Sequence, residues 1–119
     1  MSESIVKRKS FELAILGVNF YKIIVSEKKE FVMSKQFLRS ITSIGANIRE
    51  AVNAQSKADF IHKLSISQKE CDETMYWLEL LRETGYISND EFNRIYPHCE
   101  EVLKIIRSII ITSKKTHNS

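Results

Sequence analysis

Glu70 and Glu73 stand three residues apart in a helical stretch, a spacing that puts two carboxylates on one face, one turn apart. Carboxylates placed this way serve di-iron bundles, but that chemistry also requires Glu-x-x-His pairs on facing helices, and no glutamate here has a histidine three residues on. His62, His98 and His117 are scattered, and neither His-Glu-x-x-His nor Cys-x-x-Cys zinc spacing occurs. Arg94 and His98 fall one residue short of the Arg–His spacing of helical ribonucleases, and Pro97 between them would reorient the pair. Cys71 and Cys99 sit at apolar-stripe positions, where a free cysteine behaves as a small hydrophobe, and a cytosolic disulfide is not expected. The chain is therefore expected to carry no catalytic residue, no metal ion, no cofactor and no small-molecule substrate.

Charge offers the stronger lead. Residues 1–57 hold ten Lys/Arg against five Asp/Glu, residues 58–102 four against ten, and residues 103–119 four against none. Lys35, Arg39 and Arg49 share one stripe of a predicted helix, and Lys104, Arg107 and Lys114 share one of another. Cationic side chains spread over a surface can follow a phosphate backbone, with affinity growing as each phosphate is neutralised. The same stripes equally suit an ordinary solvated helix face. No aromatic platform for unpaired bases is evident, so any binding is expected to be weakly sequence-specific. A second stripe, Ile66, Glu70, Glu73, Trp77 and Leu80, combines a tryptophan with apolar neighbours and is read as an oligomer interface. There Glu70 and Glu73 are expected to meet bases of a neighbouring copy, such as Arg39 or Arg49.

Four helices must position these residues, at about 11–27, 35–54, 57–84 and 89–115. The first shows Phe11, Ala14, Ile15, Val18, Tyr21 and Val25 at helical spacing. The second has a seam of Phe37, Ile41, Ile44, Ile48 and Ala51 at alternating steps of four and three. Beside that seam lies the patch Ser43, Gly45, Ala46 and Asn47. A helix-interior glycine costs about 1 kcal/mol against alanine, so Ser43, Gly45 and Asn47 mark a close helix approach, with Asn47 buried and fixing register. Ser56 with Asp59, and Ser88 with Glu91, read as capping boxes. Gly85 suits a left-handed C-terminal cap. The third seam is Phe60, Leu64, Ser67, Cys71, Thr74, Leu78 and Leu81, and the fourth Phe92, Ile95, Cys99, Val102, Ile106 and Ile109. Pro97 predicts a kink or break near Arg94 to Pro97. Short connections imply an all-α, antiparallel up-down-up-down four-helix bundle forming a single domain over 1–119.

At 119 residues with three glycines and one proline, an all-β chain is excluded. The polar start shows no signal peptide and no apolar run approaches the roughly 20 residues that span a bilayer. A cytoplasmic chain without membrane contact is expected.

Several blocks together resemble one family. The run Phe31-Val32-Met33-Ser34-Lys35-Gln36, then Leu38-Arg39-Ser40, the stretch from Ser43 to Ala51, Ser56 to Leu64, and Lys69-Glu70 through Glu73-Thr74-Met75-Tyr76-Trp77-Leu78 are similar to the bacterial four-helix bundle proteins encoded in intervening sequences of 23S rRNA genes. That family is in turn similar to the accessory variability protein of diversity-generating retroelements, which works with a reverse transcriptase and binds nucleic acid. The resemblance covers roughly residues 10–113, and Ile41 and Pro97 depart from its pattern. It implies a four-helix protomer, a ring-like homopentamer and no established catalysis. It also tips the basic stripes towards a role: a non-enzymatic scaffold binding RNA or DNA, with a module for a protein partner such as a reverse transcriptase as the alternative, and a ribonuclease behind both.

Overall fold

Alternating steps of three and four between apolar residues dictate helices that bury one stripe each, and the chain folds accordingly. The computed structural model describes residues 2–118, with side chains from 4 to 116. Four α-helices follow in order: α1 (Ser2–Ile23), α2 (Met33–Val52), α3 (Lys57–Glu83) and α4 (Asn89–Asn118), with no strand among the described residues. A π-helical turn, Ile24–Lys28, extends α1 towards the first connection. α1 begins at Ser2 rather than near Phe11.

The seams of α2, α3 and α4 are buried as the periodicity demands. Phe37, Ile41, Ile44 and Ile48 meet Leu64, Cys71, Leu78 and Leu81, and Ile95, Cys99, Val102 and Ile106 close the core from α4. The α1 stripe is a correction. Its buried residues are Val6, Ser10, Leu13, Gly17 and Ile24, whereas Phe11 is 55% and Ile15 48% exposed. Apolar residue count favoured the Phe11–Ile15 side, but backbone proximity decided the rotation. A Cβ on Gly17 would lie 2.5 Å from Ile41 Cγ2, and one on Gly45 would lie 3.3 Å from the Ser10 carbonyl oxygen. Turning these small residues inward lets α1 and α2 approach closely and gain dispersion over the whole contact, while leaving Phe11 and Ile15 exposed.

Cross-helix contacts fix the register. From α2 to α3, the Ser40 and Thr74 hydroxyls lie 2.9 Å apart, Ser67 donates to the Ile44 carbonyl at 2.8 Å, and Lys63 meets Glu50 at 2.9 Å. From α3 to α4, Cys99 lies against the Cys71 carbonyl, Tyr96 donates to Glu79 at 2.8 Å, and Arg82 stands 4.0 Å over the Phe92 ring. Partners run in opposite order in both pairs. Each buried side-chain polar atom has a hydrogen bond among the described residues, as burial requires. α1 and α3 each pack on both α2 and α4, which leaves α2 and α4 diagonal in a rod 51 Å long and about 20 Å across.

The caps follow their local sequence. Ser56 Oγ accepts from the Asp59 amide at 3.1 Å. Ser88 and Glu91 cap reciprocally at 3.1 and 2.8 Å, over the buried pair Ile87 and Phe92. Gly85, at φ 82°, ends α3 in a Schellman turn: Tyr86 N–H donates to Leu81 and Gly85 N–H to Arg82. The break expected near Pro97 does not form, and α4 runs through it. Pro97 removes one donor, and the orphaned carbonyl belongs to exposed Asn93, within reach of solvent.

Candidate functional site

The α2 cations, one stripe in sequence, enter three different environments. Arg39 reaches across to α3, donating to both oxygens of Glu70 at 3.2 Å and to Glu73. Trp77 Nε1 donates to the same Glu73 carboxylate at 3.0 Å. Arg39 first, and Trp77 second, hold the Glu73 carboxyl below the usual carboxylate range. The same carboxylates raise the Arg39 guanidinium above its ordinary value. Arg39 thus meets Glu70 and Glu73 of its own chain and stays charged, with its guanidinium N–H groups occupied by two carboxylates. Arg49 leans to the opposite flank of α2 and stands 5.7 Å over the Phe11 ring of α1. Lys35 remains exposed.

On α4, Lys104, Arg107 and Lys114 are exposed and make no ion pair among the described residues. Because α2 and α4 are diagonal, the two basic stripes do not merge into one surface. Stripe geometry within a helix was legible in the sequence, whereas the facing of one helix relative to another was not.

The Trp77 stripe lies along the edge where α3 meets α2. Ile66, Glu70, Glu73, Trp77 and Leu80 are all half-buried, and Tyr76 stands edge-to-face with Trp77 at 5.0 Å. Among the small residues, Gly45 performs the close approach expected of it, against α1. Asn47 does not act as an interhelix register pin. It is half-buried and donates to Ser43 O within α2 at 2.8 Å, while Ser43 donates to Arg39 O at 2.6 Å. A groove of about 430 Å³ runs beside this approach, floored by Ala14, Gly45 and Ala46 and flanked by Phe11, Lys7 and Arg49.

Among the described residues, no group of three or more His, Cys, Asp and Glu is arranged to hold a metal. His62 is exposed on α3, and His98 lies in a shallow α1–α4 groove beside Lys9 and Glu101, four residues from exposed Arg94. The His117 side chain lies outside the described residues. Cys71 and Cys99 are free and buried; the neighbouring Cys99 thiol, with burial, pushes the Cys71 thiol up. No described helix is long and apolar enough to cross a membrane.

The α1–α2 turn escaped the sequence reading. Glu30, 8% exposed, accepts the backbone N–H groups of Val32 (2.9 Å), Met33 (3.0 Å) and Ser34 (2.7 Å). Ser34 Oγ returns a bond to the Glu30 carbonyl at 2.7 Å. Lys29 adopts the left-handed conformation at φ 56°, and Phe31 and Val32 project at 57% and 75% exposure. The available signal was Glu30 four residues before Ser34, at the start of an apolar seam.

A family model described as 23S rRNA-intervening sequence protein matches residues 2–108. Among solved structures, the chain is similar to a protein of unknown function from the S23 ribosomal protein family of Bacteroides thetaiotaomicron, at 57% identity and a TM-score of 0.91. That alignment covers 92% of this chain and 98% of the other. No functionally curated protein matches.

Proposed function

The chain belongs to the 23S rRNA-intervening sequence protein family, and from that premise we propose that it is a non-enzymatic, self-associating scaffold that binds RNA with weak sequence preference. The observation that carries this reading is the α4 stripe. Lys104, Arg107 and Lys114 point to solvent without carboxylate partners, on a segment that contains no acid from Leu103 onward. Cations spaced along one helix face neutralise successive phosphates and release their counterions. Nothing in such a stripe reads base edges, so affinity should depend on salt more than on sequence.

Self-association multiplies a weak stripe. Phe11 and Ile15 leave apolar area on the outside of α1, and Trp77 and Leu80 are only half-covered on α3. Identical chains covering these faces would form the ring of five copies that the family resemblance implies, and several stripes on one particle gain avidity. Trp77→Ala with Leu80→Glu should lower the particle mass by light scattering while helix content stays. An unchanged mass would remove the Trp77 stripe from the interface.

RNA binding is tested by mobility shift across a salt series. The wild type should bind with a steep negative slope, and Lys104→Ala/Arg107→Ala/Lys114→Ala should flatten that slope by up to about two units, near 0.7 per lost phosphate contact on a single strand. A wild type that shifts no RNA at low salt would overturn the reading. The groove between α1 and α2 would then favour a module for a protein partner such as a reverse transcriptase, because Phe11, Ala14 and Ala46 line it beside the charged Lys7, Arg49 and Glu50.

A further inference from the structure

The α1–α2 turn carries two exposed apolar side chains, Phe31 and Val32. Phe31 and Val32 follow Glu30, whose carboxylate is anchored by the backbone N–H groups of Val32, Met33 and Ser34, so the backbone beside the pair is tied to that cap. Lysines flank them in the chain: Lys28 ends the π-helical turn that also holds exposed Glu27, Lys29 follows it, and Lys35 lies in the first turn of α2, all three exposed and outside any ion pair among the described residues. Lys29 occupies a left-handed conformation that glycine or asparagine adopts with less strain, so the position keeps a cation where backbone preference argues for another residue. A π-helical turn, a strained lysine and an outward aromatic thus converge on one loop.

We propose that this turn is a contact site for single-stranded RNA, in which an unpaired base stacks on Phe31 while neighbouring phosphates meet Lys28, Lys29 and Lys35. It rests on the RNA-binding reading above and adds to it a preference for unpaired segments over duplex. An aromatic face flanked by cations suits a flexible polyanion with exposed bases, whereas the bases of a duplex are already stacked. An anionic bilayer fits less well. Two side chains offer little apolar area for insertion into a bilayer.

Fluorescence anisotropy with a labelled uridine 20-mer and a labelled RNA duplex of equal length tests this on the full chain. Phe31→Ala should weaken single-strand binding about fivefold or more while duplex affinity stays within about twofold, and Phe31→Tyr should restore the single-strand value. Circular dichroism checks the fold of both variants, and Phe31 is exposed, so neither should unfold. If Phe31→Ala binds both probes as the wild type does, the stacking site is wrong while the RNA-binding reading stands. A wild type that binds neither probe overturns both. Binding to phosphatidylserine vesicles that Phe31→Ala abolishes, with RNA affinity unchanged, assigns the turn to a lipid surface and overturns the proposal.

Discussion

Replacing Glu30 tests whether one carboxylate sets the entry to α2. In the folded chain its two oxygens take three backbone N–H groups that would otherwise be orphaned at the helix start. Hydrogen bonds to a charged acceptor contribute about 1.5–3 kcal/mol each, and deleted N-caps cost about 0.5–2 kcal/mol. The three bonds share one group and are not additive. Glu30→Ala should therefore cost about 2 kcal/mol, and Glu30→Gln about 1 kcal/mol because the amide keeps one oxygen but turns its own N–H towards the remaining donors. With an m-value near 1–3 kcal/mol per molar, the alanine variant should unfold at about 1 M less urea. The pH dependence gives a second handle. Burial pushes the Glu30 carboxyl up, but the amides of Ser34, Met33 and Val32 outweigh it and hold the pKa below 4.5. A depressed folded-state pKa means the stabilisation is complete above the unfolded value and drains away as pH falls through the folded one. The gap between wild type and Glu30→Gln, followed by circular dichroism at fixed protein concentration, should narrow as the pH falls through and below the ordinary carboxylate range. Equal urea midpoints at pH 7, or a gap that does not change with acid, would refute the cap as the determinant.

The two helix-interior glycines that meet a neighbouring helix should respond differently to alanine. Gly17→Ala forces a Cβ to 2.5 Å from Ile41 Cγ2 and should destabilise by about 1–3 kcal/mol in thermal melts, whereas Gly45→Ala, at 3.3 Å from the Ser10 carbonyl, should stay within about 1 kcal/mol of wild type. Gly45→Leu, by contrast, should be severely destabilised, and near-native melting would deny the close α1–α2 approach. Cys71 and Cys99 should resist a thiol reagent in native buffer near pH 8 and label fully in denaturant, because the adjacent Cys99 thiol and burial keep the Cys71 thiol protonated and both are out of solvent; prompt labelling of the folded chain would contradict that packing. Arg39→Ala should cost less than about 1 kcal/mol, as the pair is partly exposed, yet shift the emission of Trp77 by freeing the carboxylate that its indole contacts; unchanged emission would mean the network is not populated.

The three clean seams show why periodicity is so readable. Phe37 to Ala51, Leu64 to Leu81 and Phe92 to Ile109 each form one seam at steps of three and four that is richer in apolar residues than any neighbouring stripe, so the side facing the core followed directly. Ser88 with Glu91 and Gly85 were equally legible, because caps depend on bonds within four or five residues. α1 misled because it offers two stripes, and the richer one, with Phe11 and Ile15, stayed outside. Its choice depended on Gly17 meeting Ile41, a contact between residues far apart in the chain. The pairing within the α2 basic stripe was unreadable for the same reason: Arg39 finds Glu70 and Glu73 only once α3 lies alongside.

The amino-acid order alone determined four amphipathic helices, their caps, the buried face of three and the family to which the chain belongs, since each follows from short-range spacing or from matching blocks. The tertiary structure decided which face α1 turns inward, which cations remain free, that the α2 and α4 stripes lie on opposite sides, and that Phe31 and Val32 are exposed beside a buried Glu30. These outcomes are set by contacts between separate helices and around one turn, where close packing and charge pairing choose among alternatives that local periodicity leaves equal.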